Sequence, residues 1–278
     1  MKAIFKGLII GGIIVAIGIG ILITALAING WTFKTTFTTQ SYTAENENSS
    51  VKLDIGASTL VTEFYDGDRI EISYPESNRI KTDITERDGK LTFKSKVKWF
   101  AHLTINADIP QTVVRLPKDK VFDFEVDLGA GTARIAGGVY GKVAIDVGAG
   151  KLEGADIECK DLDCDISAGT VNLTGVVCTS LKCDVSAGTV NLNGVTCSSL
   201  KCDVSAGKLD ISSLTCPEIR ADVSAGKLSL GVNGIKDEYT IKSKVSAGSC
   251  NVSNQSGSTD KKLTVECSAG EISVNFAG

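Results

Sequence analysis

The string KCDVSAG occupies residues 182–188 and returns, letter for letter, at 201–207, with DCDISAG at 163–169 before it and RADVSAG at 220–226 after it. A motif that returns at a fixed interval must build one structural unit repeatedly, and this constrains the fold more than any other feature of the chain. The closing glycine of each GAG or SAG stands at Gly131, Gly150, Gly169, Gly188, Gly207, Gly226, Gly248 and Gly270, 19 residues apart as far as Gly226 and 22 apart thereafter. Within the unit LKCDVSAGTVNLNGVTCSS, apolar residues alternate before the glycine (Leu181, Cys183, Val185) and after it (Val190, Leu192). A period of two means strands. The strands are too short and too closely spaced for helical crossovers, and no unit can bury its apolar face alone. The repeat therefore predicts an all-β chain wound as a parallel β-helix, or β-solenoid, of 19-residue coils.

In such a stack, residues 19 apart lie above one another at about 4.8 Å, so every column of the repeat becomes a ladder. Cys159, Cys178, Cys197 and Cys216 form one column; Cys164, Cys183 and Cys202 form another, in phase with Leu181 and Val185. We read both as core, where a small polarisable side chain packs well. Disulfides are the sharper reading, because rung spacing falls inside the Cα separation of about 4.4–6.8 Å that a bridge tolerates, but stacked parallel side chains rarely point at one another. No C-x-x-C pair suggests zinc. The repeated glycines mark corners, either through a positive φ or through tight closure. GAGTARIAGG contains G-x-G, yet no helix follows to hold a phosphate.

The outward columns carry the only candidate chemistry. Asp127, Asp146, Asp165, Asp184, Asp203 and Asp222 stand four residues before successive glycines; Glu125, Ala144, Asp163, Lys182, Lys201 and Arg220 stand two residues earlier still. Lys182, Lys201 and Arg220 compensate the later carboxylates. In the earlier coils no cation is evident, which leaves Glu125, Asp127, Asp146, Asp163 and Asp165 as an acidic patch. The alternatives are a solvated face and a calcium site formed by Asp127, Asp146, Asp163 and Asp165. No other cofactor is expected.

Ahead of the array, residues 51–124 hold alternating runs such as DRIEISY, IKTDITE and KLTFKSK between turn signals, and VKLDIGASTLV resembles a degenerate coil with Ser58 in the glycine position. This part is expected to be strand-rich and to cover the first regular coil, the regular repeats running from 125 to 278. Trp99 and Phe100, beside Lys96 and Lys98, mark a candidate binding loop.

Residues 7–28 are free of charge, and as a helix they rise about 33 Å, enough to span a bilayer core of about 30 Å. Lys2 and Lys6 in the 1–6 segment orient this single span with the N-terminus in the cytoplasm and the rest of the chain outside the membrane. The alternative is a cleaved signal peptide ending at Ala25-Leu26-Ala27. Gly12, Ala16 and Gly20 align small residues along one face and suit homodimerisation of the span. Residues 29–50 read as a polar tether or an irregular first strand. A net charge of -4 with no basic tract argues against nucleic acid, and the lone His102 is too little for most acid–base or metal sites.

KLDIGASTLV, the approach VRLPKDKVFDFEVDLGAGTARI and the iterated DVSAGKLDI units resemble a bacterial family of glycine-rich β-strand repeats, adhesin-like and of unknown function, some of them associated with envelope-stress systems. The resemblance implies a β-solenoid at the cell envelope and implies no catalytic residues. It departs in the Thr or Lys after the last glycine and in the cysteine columns. The expected function is a membrane-anchored, extracytoplasmic, non-catalytic module that binds a wall polymer or an envelope protein. A self-polymerising scaffold and a polysaccharide-acting enzyme are the alternatives.

Overall fold

The computed structural model describes residues 37–97 and 110–277. The expected span 7–28, its Gly12, Ala16 and Gly20 face and the Trp99–Phe100 pair lie outside them. Among the described residues, no helix is long and apolar enough to cross a membrane. Apart from a 3-10 turn at Lys236–Glu238, the regular elements described are strands.

Each coil carries a six-residue strand such as Ser199–Val204, a corner at SAG, and a second strand such as Lys208–Thr215 that kinks and returns the chain to the first face. Neighbouring coils pair in parallel with the 19-residue offset read from the sequence: Leu181 faces Leu200, Cys183 faces Cys202 and Val190 faces Leu209. The alternation explains the pairing, since a slip of one residue would turn every apolar side chain outward. Leu162, Leu181, Leu200, Ile219 and Leu263 form one inward row, Val171, Val190, Leu209, Leu228 and Ile272 another, all at most 2% exposed. Burying one such side chain stabilises by roughly 1.5–3 kcal/mol, and the rows repeat that gain on every rung.

The corner glycines are required by proximity, not by handedness. Positive φ occurs at Gly89, Gly138, Gly175, Gly194 and Gly234 and at none of the eight repeat glycines. Instead, a Cβ built on Gly188 would lie 2.6 Å from the carbonyl oxygen of Gly169 and 2.4 Å from Cγ2 of Ile166. That carbonyl accepts the N–H of Thr189 at 2.9 Å, so the coil-to-coil hydrogen bond itself draws the corners together. The left-handed conformation belongs to the next corner, at Gly175 (φ 67) and Gly194 (φ 68), and is shared by Asp156 (φ 54) in the coil before; Asp is one of the few side chains that tolerates it.

Spatial order departs from chain order at both ends. At the N-terminal end, Ser50–Ile55 and Thr59–Tyr65 pair on one side with Asp123–Leu128 and Thr132–Ile135, and on the other with Lys90–Val97 and Thr112–Pro117. The outermost strands of the parallel stack are thus Lys90–Val97 and Thr112–Pro117, which follow Ser50–Ile55 and Thr59–Tyr65 in the chain. Antiparallel strands cover them: Ile80–Arg87 on Lys90–Val97, and Glu71–Glu76 on Thr112–Pro117. Thr38–Thr43, expected within the tether, is a strand that pairs with Glu71–Glu76. The loop after it is held by Glu86, whose carboxylate accepts the Glu45 and Asn46 N–H groups at 2.8 and 2.9 Å.

The C-terminal end repeats the exchange. Lys261–Cys267 and Glu271–Ala277 lie between the coil 218–233 and the strands Tyr239–Val245 and Ser249–Cys250. Gly270 therefore stacks on Gly226, and Gly248 on Gly270. The two 22-residue intervals do not mark successive coils, as a sequential reading of the repeat implies. The outer strand Tyr239–Val245 is covered in part by the segment after Ser249–Cys250, through paired backbone hydrogen bonds between Ile241 and Gln255 and the Asn254 side chain bound to the Ser243 N–H.

Candidate functional site

The outward Asp column is longer than the repeat alone suggests. Asp54, Asp127, Asp146, Asp165, Asp184, Asp203, Asp222 and Glu266 follow one another in register, one carboxylate per coil. Like charges one rung apart repel by about 1 kcal/mol in a water-like dielectric, so the row needs cations. Later coils supply them as expected: Lys182 Nζ lies 2.5 Å from Asp184, Lys201 2.9 Å from Asp203, and Arg220 Nε 3.4 Å from Asp222. Early coils have them too, contrary to the expectation of an uncompensated patch. Lys52 and Lys90 grip Glu125 from two sides at 2.5 and 2.8 Å, and Lys96 lies 3.5 Å from Asp54. These cations escape a sequence reading because the coil exchange brings in residues from a distant part of the chain.

A gap remains where Ala144 interrupts the neighbouring column. Around it Asp127, Asp146, Asp163 and Asp165 border a shallow hollow of ≈ 230 Å³ closed at its ends by Lys52 and Lys182. Burial, then the charges of Asp127 and Asp165, push the Asp146 carboxyl above its ordinary range. Of the four carboxylates expected to take calcium, Asp163 has Lys182 3.7 Å away, while Asp127, Asp146 and Asp165 have no ion pair among the described residues. The carboxylates run along the sheet rather than converging, and no group of three or more His, Cys, Asp or Glu among the described residues is placed to hold a metal ion.

A polar row crosses the second face. Asn172, Asn191, Asp210, Ser229 and Ser273 stand in register, the Asn191 amide donating to Asn172 Oδ1 at 2.8 Å. This bond fixes the two amides against each other and leaves their remaining donor and acceptor groups free for a partner.

Both cysteine columns sit where the alternation places them. Cys164, Cys183 and Cys202 are fully buried; Cys159, Cys178, Cys197 and Cys216 are 1–8% exposed, and all seven are free thiols. Tyrosines close the second column at both ends. Tyr140, whose N–H bonds to the Glu158 carbonyl at 2.8 Å, stands one rung before Cys159, and the Tyr239 hydroxyl donates to the Cys216 carbonyl at 2.9 Å. A larger hollow, ≈ 660 Å³, lies along the outer strand Tyr239–Val245 and is lined by Lys242, Lys244, Asn254, Gln255 and Glu266. Sequence reasoning missed it, because it exists only through the exchanged C-terminal coils.

Comparison with known proteins agrees with this architecture. The family model described as Toastrack DUF4097 matches residues 48–277. The fold is similar to that of a protein from Parabacteroides distasonis described as a "putative adhesin", at 13% identity and TM-score 0.54, covering 86% of this chain and 97% of that one. It is also similar to a Bacteroides fragilis protein of the same description, at 12% identity and TM-score 0.51, with 86% and 97% covered. No curated protein matches the chain.

Proposed function

The chain belongs to the Toastrack DUF4097 family, and we propose that it is a non-catalytic binding module of the cell envelope, anchored by residues 7–28 with the solenoid outside the membrane. One observation carries the reading: the in-register row Asn172–Asn191–Asp210–Ser229–Ser273 runs across successive coils and presents a short polar side chain at each rung, first amides, then a carboxylate, then hydroxyls. Such a row matches a partner that is itself extended and repetitive, because every added rung contributes one more weak contact. A wall polymer or a fibrous envelope protein has that form. The adhesin description of the structurally similar Parabacteroides and Bacteroides proteins is in keeping with it.

The test is retention on isolated cell envelopes. The full chain in detergent should bind sedimented envelopes and be released by excess soluble wall fragments or by protease treatment of the envelopes, according to the partner. Asn172→Ala, Asn191→Ala and Asp210→Ala should weaken retention stepwise, each by a few-fold. Unchanged retention in the triple variant would remove the row from the binding surface, and absence of retention in the wild type would end the binding reading.

A further inference from the structure

The C-terminal end of the stack is only half covered. Val245 stands in register with Cys267, which stands in register with Val223. Val223 and Cys267 are 2% exposed, whereas Val245 is 41% exposed, because no further rung lies on it. The backbone stops in the same place. The Ser246 N–H donates to the Cys267 carbonyl at 2.9 Å, so by the alternation of a parallel ladder the even-numbered residues of Tyr239–Val245 turn their backbone groups toward the stack. Ile241, Ser243 and Val245 turn theirs away from it.

Their partners can be followed one by one. Ile241 exchanges hydrogen bonds with Gln255 at 3.0 and 3.1 Å, and the Ser243 N–H donates to Asn254 Oδ1 at 2.6 Å. Further back, the covering segment has left the edge: the Asn251 side chain is bound to the backbone of Val274 at 2.8 and 2.9 Å. The Ser243 carbonyl and both backbone groups of Val245 have no partner among the described residues. The hollow of ≈ 660 Å³ opens beside this half of the strand, with Lys242, Ser243 and Lys244 in its lining.

We propose that the open half of Tyr239–Val245 is a docking edge for an extended acidic segment of another protein, which adds the missing strand. Main-chain hydrogen bonds to Ser243 and Val245 would hold the segment, and alternate side chains would select it. Lys242 and Lys244 are both exposed and stand at alternate positions on the face that carries the carboxylate row. Lys244 ends that row, 3.6 Å from Glu266, and Lys242 has no ion pair among the described residues. An added strand therefore meets cations on one face and the uncovered Val245 on the other. A segment that alternates Asp or Glu with apolar residues matches both. A second copy of this chain does not. Antiparallel pairing of two such edges sets lysine against lysine, and the other end of the solenoid is already covered by Ile80–Arg87 and Glu71–Glu76. The lysines thus bar self-pairing at the edge and admit an acidic strand.

The experiment titrates the full chain in detergent into fluorescein-labelled peptides of equal length, in which Val alternates with Glu or with Lys, and reads anisotropy. The Glu peptide should bind about tenfold more tightly than the Lys peptide, and Lys242→Glu combined with Lys244→Glu should reverse the order. Hydrogen exchange should show the Val245 amide protected by the Glu peptide and the Ile241 amide unchanged. Val245→Pro removes the outward N–H, a change that an edge strand tolerates, and should weaken binding by about tenfold with little change in melting temperature. Should that variant fail to fold, the charge reversal decides alone. Equal binding of the two peptides, binding of neither, or a Val245 amide left unprotected would each overturn the proposal. Concentration-dependent self-association that protects the Val245 amide would overturn it in favour of a second copy.

Discussion

At the scale of single residues, the repeat glycines and the carboxylate of Asp146 show how neighbours one coil away dictate identity. Gly188 has no conformational need to be glycine, so Gly188→Ala tests proximity alone: the added methyl must displace the Gly169 carbonyl or the Ile166 side chain. Overpacking of this kind costs about 1–3 kcal/mol, and thermal unfolding should fall by about 2–4 °C for each kcal/mol in a domain of this size. Gly194 is the opposite case, with positive φ and room for a Cβ, which would meet the Gly175 backbone only in ordinary van der Waals contact at 3.7 Å. Gly194→Asn should melt close to wild type, because Asn accepts that backbone. Equal losses at the two sites would contradict the distinction. Asp146 tests the acidic row. Its folded-state carboxyl titrates above the ordinary aspartate range, so ionisation opposes folding: the stability tied to its protonated form is complete below the unfolded value and is lost as pH rises through the raised folded one. Asp146→Asn should therefore raise the melting temperature at neutral pH by no more than about 4 °C, as an exposed interaction of under about 1 kcal/mol allows. The gain should disappear in melts recorded below the unfolded value.

At the scale of elements, the exchanged C-terminal coil makes an unusual demand on truncation. Removing everything after Asp260 deletes Lys261–Cys267 and Glu271–Ala277, which separate the outer strand Tyr239–Val245 from the regular stack. Hydrogen-exchange protection should then collapse across residues 239–245, which lie before the cut, while Glu218–Val223 keeps the protection given by Ser199–Val204. Retained protection at 239–245 would mean that the outer strand can dock directly on the stack. The 19-residue period and both cysteine columns were legible in the sequence because each follows from spacing and alternation alone. Coil order at the ends was not. Gly248 and Gly270 keep the motif and a near-regular interval whichever coil lies outermost, and nothing in local spacing distinguishes the two stacks. The ion pairs Lys52–Glu125 and Lys90–Glu125 were hidden for the same reason. The choice between positive φ and tight closure at the SAG glycines stayed open for a different reason: the letter G does not reveal whether a bare Cα is needed for its dihedrals or for its neighbours.

At the scale of the whole solenoid, stability comes from nearest-neighbour coils, and the number of coils is not fixed by the ends. Deleting residues 189–207 joins Gly188 to Lys208, which carries the same place in the repeat as Thr189. The shortened chain should fold with the β-sheet circular dichroism of the parent and a single cooperative melt. Deleting 190–207 leaves the alternation after the join out of phase and should lose both. If the two deletions behave alike, the register is not what holds the stack. In terms of inheritance, a gain or loss of one 19-residue unit between the identical KCDVSAG stretches would lengthen or shorten the protein by a whole rung and leave both exchanged ends intact.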